Sequence, residues 1–101
     1  MTYQILFPNH SIEKKFHQLL SKISPKNQDD IMKEIENLAN GPCPYGRKPF
    51  KRLNPPVQLY QFTARYRIRI GDFRVLYDVD PARKIVWILA LRKRGEGTYK
   101  R

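Results

Sequence analysis

Arginine is concentrated in a short stretch of the chain, where it alternates with apolar residues. All ten arginines lie after residue 46, and the densest group is the run 65–70, Arg-Tyr-Arg-Ile-Arg-Ile. Side chains of a β-strand alternate between its two faces, so Arg65, Arg67 and Arg69 are predicted to share one face. The opposite face of this strand is apolar and is predicted to belong to the core.

A tight turn follows the arginine-rich strand. Gly71-Asp72 lies between two alternating runs, a pattern typical of a two-residue β-hairpin. Closing this hairpin places Arg69 opposite Arg74, with their Cβ atoms about 5 Å apart. Two like charges at that distance repel by about 1 kcal/mol even in a high dielectric. We therefore expect an anion here, and phosphate suits the site because its oxygens match the paired N–H groups of guanidinium.

The positive charge is confined to one part of the chain. The 101 residues are predicted to form a single domain, 1–101, with a net charge of +11 and a pI near 10.1. Residues 1–40 contain five lysines and five acids, whereas residues 41–101 contain fifteen basic and four acidic residues. A merely solubilising surface would mix the two signs, so this segregation indicates that the partner is nucleic acid, an acidic protein or both.

The composition argues against a membrane protein and against a metal site. No apolar run approaches the roughly 18 residues of a membrane span, and the N-terminus lacks the pattern of a signal peptide. The single cysteine, Cys43, can form no internal disulfide and no multi-cysteine metal site. Asp80 is expected to cap a turn rather than to bind a metal together with Asp78. We predict a cytoplasmic protein with no membrane contact and no cofactor.

Periodicity predicts a strand and two helices in the first forty residues. Residues 3–7 are aromatic and β-branched, which favours a strand. Apolar residues at helical spacing predict one helix over roughly 10–23 and a second that has Ser24 as its N-cap and ends before Gly41. Because the link between them is short, the helices should form an antiparallel hairpin on one face of a sheet.

The rest of the chain is predicted to complete an antiparallel sheet. Residues 41–54 are basic and rich in proline and glycine, and residues 55–62 fit either an edge strand or an ordered loop. The apolar run 85–91 suits a central strand that is covered on both faces and antiparallel to 73–79. Its end returns to the level of the hairpin turn and delivers the tail, 92–101, beside the arginines. The order β-α-α-β-β-β predicts an α+β fold with the helical hairpin on one face and an open arginine face.

The hairpin 66–77, the apolar strand after it and the ending Arg92-Lys93-Arg94 with Tyr99 form a specific combination. Together with the size, the two helices and the basic charge, they resemble the RelE/ParE superfamily of bacterial toxins from type II toxin–antitoxin systems. This resemblance implies the RelE-type activity, a metal-independent endoribonuclease that cuts mRNA in the ribosomal A site and so inhibits translation. It also implies an acidic antitoxin that blocks the site, with DNA contacted only through the antitoxin complex.

The resemblance also assigns roles to individual residues. Arg74 matches the arginine that holds the scissile phosphate, while Arg94 and Tyr99 match an arginine at the exit of the last strand and a tyrosine of the tail. Arg67 and Arg69 complete the predicted catalytic set, although some RelE-type enzymes have lysines there. Seven further basic residues of this half are predicted to bind RNA: Arg47, Lys48, Lys51, Arg52, Arg65, Arg92 and Lys93.

Proton transfer has few candidates in this sequence. Attack by a 2′-hydroxyl needs a base, positive charge on the phosphate, and a proton for the leaving oxygen. Arginine supplies the charge but is a poor base because it stays protonated. Tyr99 is an acid–base candidate, a platform for an RNA base, or a tail residue packed on the sheet. Glu96 is a weaker candidate, since a lone glutamate in a tail is usually solvated.

The shortage of a base leaves a second class of function open. A ParE-like toxin that inhibits DNA gyrase needs no catalytic group. The same holds for an inactive family member that only binds its antitoxin. Because fold alone does not settle function, the choice between these alternatives depends on the residues of the site.

Overall fold

Two helices and a five-stranded sheet make up the described part of the chain. The computed structural model describes residues 2–41, 50–59 and 61–93, without the side chains of residues 50–52. The elements are β1 (Gln4–Leu6), α1 (His10–Leu20), α2 (Pro25–Asn37), β2 (Phe50–Leu59), β3 (Phe62–Ile70), β4 (Phe73–Asp80) and β5 (Ile85–Lys93). The predicted order is confirmed, with β2 as an additional strand. Within these ranges, no helix is long and apolar enough to cross a membrane.

An N-cap and one apolar stripe determine α1. The Asn9 side chain accepts a hydrogen bond from the N–H of Ile12 at 2.9 Å, which satisfies one of the unpaired amides of the first turn. Ile12, Phe16 and Leu20 recur at every fourth position and are buried. This stripe faces the sheet, where α1 packs against β5.

The link between the helices is longer than periodicity predicts. α1 ends at Leu20, because the N–H of Ile23 bonds to the Leu20 carbonyl at 3.1 Å in a tighter turn. α2 begins at Pro25, with Ser24 at the N-cap position as predicted. The Ser24 side chain makes no capping hydrogen bond within the described residues. The Gln28 side chain instead donates to the Ile23 carbonyl at 2.7 Å and ties the start of α2 to the link.

The sheet has the strand order β1-β5-β4-β3-β2. β1 runs parallel to β5, and the other neighbours are antiparallel. The β3–β4 register is the predicted one, with Arg69 opposite Arg74 and Tyr66 opposite Tyr77, whose rings stack at 5.6 Å. Gly71 in the connecting turn has a φ of +58°, which glycine adopts without steric cost.

The segment for which the sequence allowed a strand or a loop is largely an edge strand. β2 begins at Phe50, earlier than either alternative, and pairs with β3. Its ladder is irregular between Arg52 and Val57, where two consecutive prolines have no N–H to donate. An edge strand tolerates such an interruption because only one of its sides is paired.

The main core lies between the helices and the sheet. Ile68, Val75 and Ile88 contribute to it from the three central strands and are at most 1% exposed. Phe16 and Ile31 contribute from the two helices. Because side chains alternate along each strand, burying this set directs the arginines of β3 to the opposite face.

The arginine face carries a second core, and the prediction that this face is open is therefore wrong for part of it. The buried members of this cluster are Ala64, Leu76, Leu89 and Ala90. Apolar side chains of β2 and the start of β3 pack on it, as does Trp87. The β4–β5 ladder shifts register between Leu76 and Tyr77, so Leu89 has no partner opposite it in β4. The predicted covering of β5 on both faces is confirmed, and this second core lies on the part of the arginine face remote from Gly71.

Candidate functional site

Three arginines form a row across the central strands of the sheet. The register places Arg69 of β3 opposite Arg74 of β4, and Arg74 opposite Arg92 of β5. Directly opposed residues have Cβ atoms about 5 Å apart. Arg74 therefore has an arginine on each side, and we call Arg69, Arg74 and Arg92 the arginine row. The sequence predicted the first pair, whereas it predicted only that Arg92 would lie nearby.

The arginine row becomes more buried towards β5. Arg69 is exposed, whereas Arg74 and Arg92 are half-buried. The Nε atom of Arg92 is shielded from solvent and has no acceptor among the described residues. A desolvated N–H without an acceptor costs free energy, and a neighbouring positive charge adds to this cost. An anion with several oxygens would supply both the acceptor and the opposite charge.

Arg67 extends the positive charge away from the turn. It is two residues from Arg69 on β3, so its side chain lies on the same face, where it is half-buried. In register it is paired with Leu76 of β4 and with Lys51 of β2. The backbone of β2 thus brings Lys51, which was predicted to bind RNA, next to Arg67, which was predicted to be catalytic.

Arg65 of β3 has an acidic partner on the neighbouring strand. Its Nη1 lies 2.6 Å from Oδ2 of Asp78, and the two side chains are 50% and 19% exposed. A pair this exposed contributes little to stability, but it neutralises charge locally. Arg65 was predicted to bind RNA, yet the positive charge of this face is concentrated at the other end, around the arginine row.

Asp80 caps the turn after β4, as predicted. Its Oδ1 accepts a hydrogen bond from the Arg83 N–H at 3.2 Å, and the Arg83 Nε lies 3.8 Å from its Oδ2. Asp78, the other half of the apparent metal pair, is bound to Arg65 instead. Among the residues described, no group of three or more His, Cys, Asp or Glu side chains is arranged to hold a metal ion.

The other predicted site residues fall into two groups. Lys93 is opposite Phe73, a residue of the main core, so it lies on the face away from Arg92. β5 ends at Lys93, directly after Arg92 of the arginine row. Four predicted positions lie outside the described residues: Arg47, Lys48, Arg94 and Tyr99. For two more, Lys51 and Arg52, the backbone is described but the side chain is not.

Carboxylates that the sequence did not single out lie beside Arg69. A groove of about 280 Å³ next to the turn is lined by Asp30, Lys33, Glu34, Arg69, Ile70 and Gly71. Asp30 and Glu34 are one helical turn apart on α2, and this spacing is the sequence feature that could have identified them as a pair of neighbouring carboxylates. The sequence alone does not show that α2 packs against β3. This packing brings the two carboxylates to the end of the sheet that carries the arginine row.

Comparison with known proteins identifies similar chains of the same size. The family model described as the ParE toxin of the type II toxin–antitoxin system parDE matches residues 10–97. A Methanocaldococcus jannaschii protein that is named as a RelE1 toxin is 34% identical over 92 residues, which cover 91% of this chain and 94% of that protein. The structure is similar to a chain of the archaeal RelE–RelB complex from Pyrococcus horikoshii, with a TM-score of 0.70 and 26% identity over 96% of this chain and 100% of that chain. A chain of the RelBE2 toxin–antitoxin complex from Mycobacterium tuberculosis has the same fold, with a TM-score of 0.62 and 19% identity over 93% of this chain and 100% of that chain.

The arginine row predicts an unusual response of stability to anions. Arg92→Gln removes one opposed charge and the desolvated guanidinium, so the variant should be more stable than the wild type without an anion, by about 1 kcal/mol. Pyrophosphate at a hundredfold excess over its Kd should stabilise the wild type by about 2.7 kcal/mol and the variant by less. Urea unfolding at low salt measures both free energies.

Arg83→Gln is the matched control for this experiment. It removes the same charge at the far turn, where Arg83 is 73% exposed on its side chain. It should respond to pyrophosphate as the wild type does. An equal response of all three proteins would show that the row binds no anion.

Proposed function

Because the chain belongs to the RelE/ParE superfamily of toxins from type II toxin–antitoxin systems, we propose that it is a ribosome-dependent endoribonuclease acting on mRNA. The observation that carries this proposal is the row formed by Arg69, Arg74 and Arg92. In the proposed reaction the 2′-hydroxyl of one nucleotide attacks the phosphate that follows it. The row supplies the positive charge that this attack requires.

The negative charge on the phosphate increases during the attack, because a fifth oxygen bonds to phosphorus before the leaving oxygen departs. We assign Arg74 to the scissile phosphate, since it occupies the centre of the row. Arg69 and Arg92 then contact the same phosphate group or its neighbour from either side. A guanidinium binds two oxygens at once and keeps its proton. Donors fixed in place by strands stabilise the developing charge without reorganising.

Proton transfer is assigned to residues at the edges of the row. Because β5 ends beside the row, the tail that follows starts close to the proposed position of the phosphate. Tyr99 is proposed as the proton-transfer group or as a platform for an RNA base, and Arg94 as a further phosphate contact. Asp30 and Glu34, which line the groove beside Arg69, are additional candidates for the base that takes the 2′-hydroxyl proton.

The proposed partner is an acidic antitoxin. The similar chains from Pyrococcus horikoshii and Mycobacterium tuberculosis come from RelE–RelB and RelBE2 complexes. Residues 41–101 of this chain hold fifteen basic residues against four acids. Complementary charge accelerates association, and an acidic segment over the row would occupy the phosphate position.

A ParE-like toxin that inhibits DNA gyrase without catalysis is the second candidate. It is favoured by the ParE name of the matching family model and by arginines at positions 67 and 69, which cannot act as bases. The 34% identity to a protein named RelE1 and the arginine row favour the nuclease.

Arg74→Ala is expected to abolish cleavage without unfolding the protein. Arg74 lies outside both buried clusters, so little core packing is lost. Removing one oxyanion contact typically slows a reaction by a hundredfold or more, about 3 kcal/mol. The measurement is primer extension on mRNA from a translation extract that contains the purified protein. Arg83→Ala, at the far turn, serves as the control and should cut like the wild type.

The same extract separates the two candidate functions. Site-specific cuts in translated mRNA support the nuclease. Intact mRNA together with inhibited supercoiling by DNA gyrase supports the second candidate. Cutting at the wild-type rate by a folded Arg74→Ala protein would contradict the role of the row.

The tail should be needed for activity but not for folding. A chain that ends at Lys93 keeps every described strand, so we expect it to fold and to cleave nothing. Tyr99→Phe tests what the tail contributes, since stacking survives this change and proton transfer does not. Single-turnover cleavage rates of the three proteins on programmed ribosomes provide the measurement. Full activity of the shortened chain would exclude a catalytic role for Arg94 and Tyr99.

A further inference from the structure

A pocket lies on the arginine face at the end of the sheet remote from the arginine row. Its volume is about 360 Å³, and it is lined by Pro8, Phe62, Thr63, Asp78, Trp87 and Leu89. Most of this lining is apolar or aromatic. The proposed function uses none of these residues.

The pocket is aligned with the arginine row by the register of the sheet. Trp87 of β5 is opposite Asp78 of β4, and Asp78 pairs with Arg65 of β3. These three residues lie on the same three strands as the arginine row and on the same face of the sheet. Asp78 is four residues from Arg74 along β4, a distance of about 13 Å.

One oxygen of the Asp78 carboxylate lacks a donor. Oδ2 accepts from Arg65 at 2.6 Å, whereas Oδ1 is shielded from solvent and has no donor among the described residues. A buried acceptor without a partner costs free energy that a bound N–H group would recover. The pocket therefore combines aromatic and aliphatic walls with the side chain of Asp78, whose Oδ1 lacks a donor among the described residues.

We propose that this pocket holds a base of single-stranded RNA whose backbone continues to the arginine row; the proposal rests on the proposed function. A base fits because it stacks on Trp87 or Phe62 and carries N–H groups at its edge. An amino group can donate to Oδ1 of Asp78, as cytosine N4 does to carboxylates in other complexes. Uracil has a carbonyl where cytosine has this amino group and can donate only its ring N3–H, so cytosine is preferred over uracil. An apolar side chain of a protein partner would leave Oδ1 unpaired.

Trp87 reports on the pocket directly, because it is the only tryptophan of the chain. The probes are short RNA strands of one length: oligo-C, oligo-U and an abasic strand with the same number of phosphates. Oligo-C should quench the Trp87 fluorescence and bind about tenfold more tightly than the abasic strand, with oligo-U in between. Arg92→Gln should weaken all three strands alike, since it acts on phosphates.

Asp78→Asn tests the acceptor itself. Its amide can donate to uracil as well as accept from cytosine, so the preference of about tenfold or less for oligo-C over oligo-U should disappear. Asp80→Asn removes the same charge outside the pocket and should keep the preference. The wild-type fluorescence titration decides the matter even if Asp78→Asn fails to fold.

The outcomes distinguish this proposal from the proposed function. Equal binding of the three strands without a change in Trp87 fluorescence overturns the base pocket, yet it leaves phosphate binding by the row intact. A preference for oligo-C that persists in folded Asp78→Asn also overturns it. A Trp87 response to an antitoxin peptide but not to RNA assigns the pocket to the protein partner. If no strand binds, the base pocket is refuted, and the proposed function is then decided by the Arg74→Ala cleavage experiment.

Discussion

Arg74 lies between arginines of two neighbouring strands, so the folded sheet has to offset the repulsion between these charges. The adjacent row on the opposite face of the sheet is Ile68, Val75 and Leu91, which are opposed in the same way and are at most 3% exposed. Each buried aliphatic side chain contributes about 1.5–3 kcal/mol, against about 1 kcal/mol of repulsion for each arginine pair. The helices are therefore what allows the sheet to present opposed arginines: by covering one face, they stabilise the strands that carry the charge on the other.

The arginine face is divided by polarity along the direction of its strands. Positive charge is concentrated at the end near Gly71, and apolar side chains cover the end around Trp87. The Arg65–Asp78 ion pair lies at the apolar end and removes positive charge there. A nucleic acid strand has the same two kinds of group, since its phosphates need cations and its bases need apolar, stacking surroundings. The division therefore suits one ligand that extends over both ends better than it suits a simple anion.

The sequence allowed the helical hairpin and the Arg69–Arg74 pair to be predicted, because both follow from local rules of periodicity and turn chemistry. The pairing of Arg74 with Arg92 could not be derived, since the β4–β5 register shifts at Leu89 and no local signal in a continuous apolar run marks such a shift. The second core was missed for a related reason. Side chains of β2 pack on residues of β4 and β5 that are distant in sequence, and the two prolines of β2 hide the fact that this segment is a strand. The carboxylates of α2 likewise reach the site only through tertiary packing.

In the proposed reaction, Arg69, Arg74 and Arg92 hold the phosphate that is cleaved. The most direct measurement is a cryo-electron microscopy structure of the protein on a ribosome whose A-site codon carries 2′-deoxynucleotides, so that the attacking hydroxyl is absent and the message stays intact. We expect the phosphate between the two uncleaved nucleotides to lie within hydrogen-bonding distance of the Arg74 guanidinium, with Arg69 and Arg92 on either side. A bound protein that turns the arginine row away from the codon, or no binding to the ribosome, would contradict this expectation.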